Sequence, residues 1–198
     1  MPDHYQISAA LAAFDALNAR DPRQTSTEDG ETLPYALLYG RRMSERLETY
    51  APDADAPLRL AARAQHLERW TIPRESYPQD RIGYLKWRND LKAYHAERAG
   101  EVLKVLNVEA EVIERVAFLL QKKQLRKDAG TQTLEDVICL VFLEYYALEF
   151  AADHPEEKVI SILRKTWGKM SERGQAAALA LELNPAVREL VGKALDDA

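Results

Sequence analysis

The chain has 198 residues, 46% of them hydrophobic and 30% charged, with a net charge of −5 at neutral pH. That composition describes a globular protein long enough for one domain with a substantial core. The acidic balance excludes a surface that is basic throughout, as a general nucleic-acid binder carries, and the single cysteine, Cys139, excludes an intrachain disulfide framework or a cysteine-based zinc site.

The opening stretch MPDHYQISAALAAF carries Asp3 and lacks the basic segment and long apolar run of a signal peptide. Ile7, Leu11, Phe14 and Leu17 then recur at helical spacing, predicting a helix over 5–18. The polar stretch DPRQTSTEDGET, 21–32, reads as a loop. Thr32 is placed to cap a helix from about Pro34 that turns Leu37, Leu38, Met43 and Leu47 inward and stops before Pro52. Asp55 and Pro57 open the next, expected to run to Trp70. After a proline-bearing loop at 71–80, Asp80 caps a long helix over 81–106, ended by Asn107. A helix over 109–124 follows, then the basic link KKQLRKDAGTQ. Thr133 is placed to cap a nearly all-apolar central helix reaching Ala152. Pro155 opens a helix to Met170, a short one follows from Ser171, and Asn184-Pro185 starts the last. No strand pattern competes and no internal repeat is present. The expectation is all-α: a single-domain orthogonal bundle of eight or nine helices spanning 1–198, with its core over 5–195. No run reaches the roughly 18–20 apolar residues of a membrane span, so a cytoplasmic location without a membrane partner is expected.

Three ionisable residues fall on apolar faces. His66 lies in step with Leu58, Ala62 and Trp70 at intervals of four; His95 lies in the stripe of Trp87, Leu91, Val102 and Leu106; Asp136 precedes Leu140 and Leu143. Taken singly, each histidine is a hydrogen-bonded core residue and Asp136 a complement to the helix dipole. Taken together, three buried ionisable groups are costly unless paired, and imidazole with carboxylate is an ordinary ligand set for a divalent first-row metal (Mn, Fe, Zn, Co or Ni). Glu45 and Glu135 are candidates for a fourth ligand, a base or an orienting partner. Glu45 alone reads as a solvated helix charge.

Residues 63–98 also hold Arg63, Arg69, Arg74, Arg81, Lys86, Arg88, Lys92 and Arg98, interleaved with Trp70, Tyr77, Tyr84, Trp87 and Tyr94. Guanidinium groups suit phosphate or carboxylate by two-pronged hydrogen bonding, and aromatic faces stack on bases. Arg63, Arg74 and Arg81, with Trp70 and Tyr77, bracket the loop after His66 and are the expected substrate contacts. Lys165 in RKTWGKMS is a further candidate to reach an anion. The bland alternative for each is a solvated face whose stems cover apolar surface, and the run KKQLRK reads as a helix-end patch.

The segments YALLYGRRM, RAQHLERWTIPRESYPQDRIGYLKWR, YHAERAGEVL, TLEDVICLVFLEYY and RKTWGKMSERG together resemble the domain-of-unknown-function family numbered 4202, over about residues 5–195. That resemblance implies no particular activity. More weakly, YHAERAGEVL is similar to the later histidine motif of the HD-domain superfamily of helical metal-dependent phosphohydrolases, AARAQHLERW stands where its His-Asp dyad would be, and LEDV where its final aspartate would be. This second resemblance implies His66, His95 and Asp136 as metal ligands. Leu67, not aspartate, follows His66, and Glu45 is the nearest substitute for the superfamily's first histidine.

Two functional expectations follow. One is a metal-dependent phosphohydrolase of a small phosphorylated or nucleotide-like substrate: metal on His66, His95 and Asp136, the anion held by Arg63, Arg74, Arg81 and Lys165, and Glu45 or Glu135 as base or ligand. The other is a non-catalytic module that binds a nucleotide, or less readily RNA, through arginine and aromatic contacts. A purely helical interaction protein would leave the arginine-aromatic loop unexplained.

Overall fold

The computed structural model describes residues 4–27 and 29–196; Asp3, read above as part of the N-terminal segment, lies outside the described residues. The chain divides into two compact units, 1–124 and 125–198, where the sequence suggests one domain.

In the first unit, α1 (His4–Asn18) packs against α2 (Tyr35–Tyr50), α3 (Ala56–Arg63) and α4 (Arg81–Val105), and α5 (Ala110–Leu120) closes over α3 and α4. Phe14, Met43, Leu47, Leu60, Leu67, Leu103 and Leu119 are fully buried and form the core. The loop expected over 21–32 carries two short strands, β1 (Gln24–Ser26) and β2 (Thr32–Pro34), paired antiparallel with Thr25 opposite Leu33. They correct the expectation of no strands; three residues a side are too few to print an alternation. Thr32 does not cap α2. Pro34 holds the cap position, and the buried Asp21 carboxylate accepts from the Ala36 N–H at 3.1 Å, so an acceptor 15 residues upstream does the capping. Arg23 binds the same carboxylate through its guanidinium at 2.7 and 3.0 Å.

Other caps follow the sequence. Asp55 accepts from Leu58 N at 2.9 Å and Asp80 from Gly83 N at 2.7 Å. Asn107 sits in the left-handed region (φ 54°) while Val108 N donates to Leu103 O, a hydrogen-bonded helix stop. Gly83 is required by packing: a Cβ there would come within 2.1 Å of the Pro78 carbonyl oxygen.

In the second unit, α6 (Ala129–Val141) is capped by Asp128, not Thr133, and runs through a π-helical turn at Phe142–Tyr146 into α7 (Ala147–Ala152). The break divides the single central helix expected there. α8 (Glu156–Trp167) packs on α7 and α10 (Pro185–Asp196), and α9 (Glu172–Leu179) packs on α6. The described residues thus hold ten α-helices against the eight or nine expected. Among the described residues no helix is long and apolar enough to cross a membrane.

Candidate anion-binding site

α3 stops at Arg63, seven residues before its expected end, so His66 stands in a turn and not on a helix. The cause is tertiary. Asn18 at the end of α1, fully buried, accepts through Oδ1 from the Glu68 N–H at 3.0 Å, and Glu68 adopts φ 48°, the left-handed region. The Glu68 carboxylate accepts in turn from Arg98 Nε on α4, which holds the Arg98 guanidinium well above its ordinary pKa, with Glu101 as the second contributor. Beyond Glu68 the chain takes one 3₁₀ turn, Arg69–Thr71, and Trp87 Nε1 donates to Ile72 O at 2.9 Å. The loop is therefore fastened at both ends, and it delivers His66 and Arg69 to one place.

His66 stacks on Tyr39 of α2, ring centroids 3.8 Å apart, and stands 6.0 Å from His95 of α4. His66 Nδ1 and His95 Nε2 are both buried, and neither has a hydrogen-bond partner among the described residues. Burial pushes both imidazoles down, His66 well below the usual value and His95 to about 3, and the charges of Arg69, Arg88 and Lys122 push the same way. Both rings are thus neutral near pH 7.

Arg69 lies over the Trp87 ring, its guanidinium carbon 4.6 Å from the centroid. Burial, followed by the neighbouring Arg88, lowers its pKa to about 10. Neither Arg69 nor Arg88 forms an ion pair with a carboxylate among the described residues. Two guanidinium groups without counter-ions and two imidazole nitrogens without partners among the described residues are therefore gathered between α2, the loop after α3, and α4. A buried polar group without a partner is costly, and clustered like charges add to that cost. An anion with several acceptor oxygens offsets both costs at once.

Family membership is found over nearly the whole chain: the model described as Domain of unknown function (DUF4202) matches residues 8–191. The chain belongs to the DUF4202 family. No curated protein and no solved structure matches it, and nothing in these comparisons supports the likeness to HD-domain hydrolases.

The fold of this DUF4202 protein brings together His66 and His95 of the residues singled out in the sequence. Asp136 belongs to the second unit, where its carboxylate accepts from Ser171 N at 2.8 Å, Ser171 Oγ at 2.5 Å and Gln132 Nε2 at 3.0 Å. It thereby ties the start of α9 to α6, and Gly174 leaves the room: a Cβ there would lie 2.7 Å from the carboxyl carbon. Glu135 is buried in the same unit with Lys169 Nζ at 3.9 Å, and Lys165 is exposed. Glu45 is exposed on α2. Among the described residues no group of three or more His, Cys, Asp or Glu side chains is arranged to hold a metal ion. The two histidines offer nitrogen donors, and the charges pressing on them are cationic.

The expected substrate contacts are mostly committed elsewhere. Arg63 pairs with Asp15 at 3.2 Å. Arg74 donates to the carbonyls of Tyr77 and Asp80, bracing the loop before α4. Tyr77 donates its hydroxyl to Asp90 at 2.9 Å. Arg81 is exposed in the first turn of α4, and Trp70 is half-buried in the 3₁₀ turn. Arg69 and Arg88, named from the sequence only as members of the basic cluster, and Tyr39, not singled out there, are the residues the structure places around the two histidines. One signal was present: Arg88 precedes His95 by seven residues, two turns of one helix face.

Proposed function

We propose that this protein binds a small phosphorylated ligand, with Arg69 and Arg88 as the charged contacts and His66 and His95 completing the hydrogen bonding. One observation carries the reading: two guanidinium groups without counter-ions among the described residues lie beside two buried imidazole nitrogens that find no partner there either. Two monocations match a phosphate monoester, which carries close to two negative charges near pH 7. Each imidazole supplies either a donor or an acceptor according to tautomer, so a phosphoryl oxygen or a neighbouring hydroxyl satisfies it.

The test is calorimetric titration of the full chain with inorganic phosphate in the presence of chelator, beside the double variant Arg69→Gln, Arg88→Gln. Binding by the wild type that the variant loses, with its helical circular dichroism retained, is the expected result. Absence of phosphate binding in the wild type, or equal binding in both, overturns the reading.

A metal-dependent phosphohydrolase of HD type is the second reading, supported by the same two imidazole nitrogens. It needs oxygen ligands beyond this pair. Its distinguishing outcome is phosphate binding, or release of phosphate from a monoester, that chelator abolishes.

A further inference from the structure

The first two turns of α4 present large hydrophobic side chains to solvent: Ile82 is 78% exposed, Leu85 51% and Tyr84 45%. In the same stretch only Gly83 is buried. Exposed apolar residues scattered singly need no explanation. These are contiguous and their position is specific. Tyr84 and Leu85 lie four and three residues before Arg88, on the face of α4 that carries it. Tyr84 also reaches the anion cluster by a second route, since its ring lies 5.9 Å from Trp87, whose own face is covered by Arg69. Of the other rings close to the cluster, Tyr39 is stacked on His66, Trp87 is covered by Arg69 and donates to the Ile72 carbonyl, and Tyr94 is half-buried against His95. The Tyr84 hydroxyl forms no hydrogen bond among the described residues. Its ring is exposed beside the anion cluster, where a ligand can cover it.

We propose that the phosphorylated ligand carries a planar aromatic group, a nucleobase, that stacks on Tyr84 against Leu85 while its phosphate is held by Arg69 and Arg88. Four residues of helix separate Tyr84 from Arg88, a rise of about 6 Å, which is of the order of the reach from a nucleotide's phosphate to its base. Charge draws the phosphate to the inner end of this stretch and the apolar side chains take the base at its outer end. The continuity of the two surfaces on one helix is what commits the occupant to a nucleoside phosphate. The inference rests on the anion-binding reading given above.

The experiment compares three probes on the full chain by calorimetry: inorganic phosphate, ribose 5-phosphate and nucleoside 5′-monophosphates. Each is titrated into the wild type, Tyr84→Ala and Tyr84→Phe. The nucleotides are expected to bind roughly ten-fold or more tightly than ribose 5-phosphate. Tyr84→Ala removes that difference and Tyr84→Phe keeps it, because the ring and not the hydroxyl makes the contact. Phosphate and ribose 5-phosphate binding with no advantage for the nucleotides overturns this proposal alone. So does an advantage that survives Tyr84→Ala. Failure of every phosphate probe overturns the anion reading and this proposal with it. A 5′-phosphorylated oligonucleotide of a few residues, added as a fourth probe, separates the two sources of this chemistry. Binding as tight as the mononucleotide supports a nucleic-acid end, and its exclusion supports a free nucleotide.

Discussion

Two histidines held neutral beside two arginines set a measurable pH signature. Unfolded, each imidazole titrates near its ordinary value of about 6.5. Folded, burial and the adjacent cations lower both, His95 to about 3. Below pH 6.5 the unfolded chain therefore binds more protons than the folded one, and stability falls as the pH falls. The contribution is fully present above about pH 6.5 and, for His95, is lost progressively toward pH 3. The slope cannot exceed about 1.4 kcal/mol per pH unit for each histidine. His95→Leu removes one titrating group and fills a similar volume. Urea unfolding at pH 7 and pH 5 should show a smaller loss for this variant than for the wild type. Equal losses would mean that His95 is not held neutral by the fold. The sequence shows both histidines on apolar positions, which is why they were legible. It does not show that Arg69 and Arg88 lack counter-ions, because pairing is a property of what the fold brings near.

At the scale of elements, the turn between α3 and α4 decides where the site lies, and it was the part read least well. Leu58, Ala62, His66 and Trp70 keep a spacing of four, so periodicity extends the helix to Trp70. The helix instead ends at Arg63, because Asn18, some 50 residues upstream, captures the Glu68 N–H. Periodicity reports which face is apolar and is blind to a cap supplied from another helix. The same blindness explains Thr32, displaced as a cap by Asp21, and Asp136, whose partner Ser171 lies 35 residues downstream. The local caps Asp55 and Asp80 were legible because donor and acceptor are three residues apart. Asn18→Ala tests the tether. It leaves the Glu68 N–H buried without an acceptor, which costs about 1–3 kcal/mol, and it releases the turn that places Arg69. Both unfolding free energy and phosphate affinity are expected to fall. A variant that loses stability while binding phosphate as well as the wild type would show that the tether does not position the site.

For the whole molecule, the mostly helical character followed from composition and period, and the boundary between the two compact units was not read from the sequence. The basic link that was legible as KKQLRKDAGTQ contains the boundary at Gln124, and Lys122, Gln124 and Arg126 alternate in the left-handed region there. Nothing in the residue types of that run announces such a path, since lysine, glutamine and arginine have no preference for it. Net charge is the other whole-molecule property, and it bears on the ligand. At −5 the protein repels a long polyanion in general, while the proposed site at Arg69 and Arg88 would attract an anion locally. The two effects differ in their response to salt. A ligand held by two guanidinium groups releases few counter-ions, so log affinity for a nucleoside monophosphate should fall against log salt with a slope of about two or less in magnitude. A protein that tracks a nucleic-acid backbone through six to ten phosphates shows a slope several times steeper. Calorimetric titrations between low and moderate salt measure it directly. A shallow slope places recognition at one phosphate beside α4, and a steep one would require a far more extended basic surface than Arg69 and Arg88 provide.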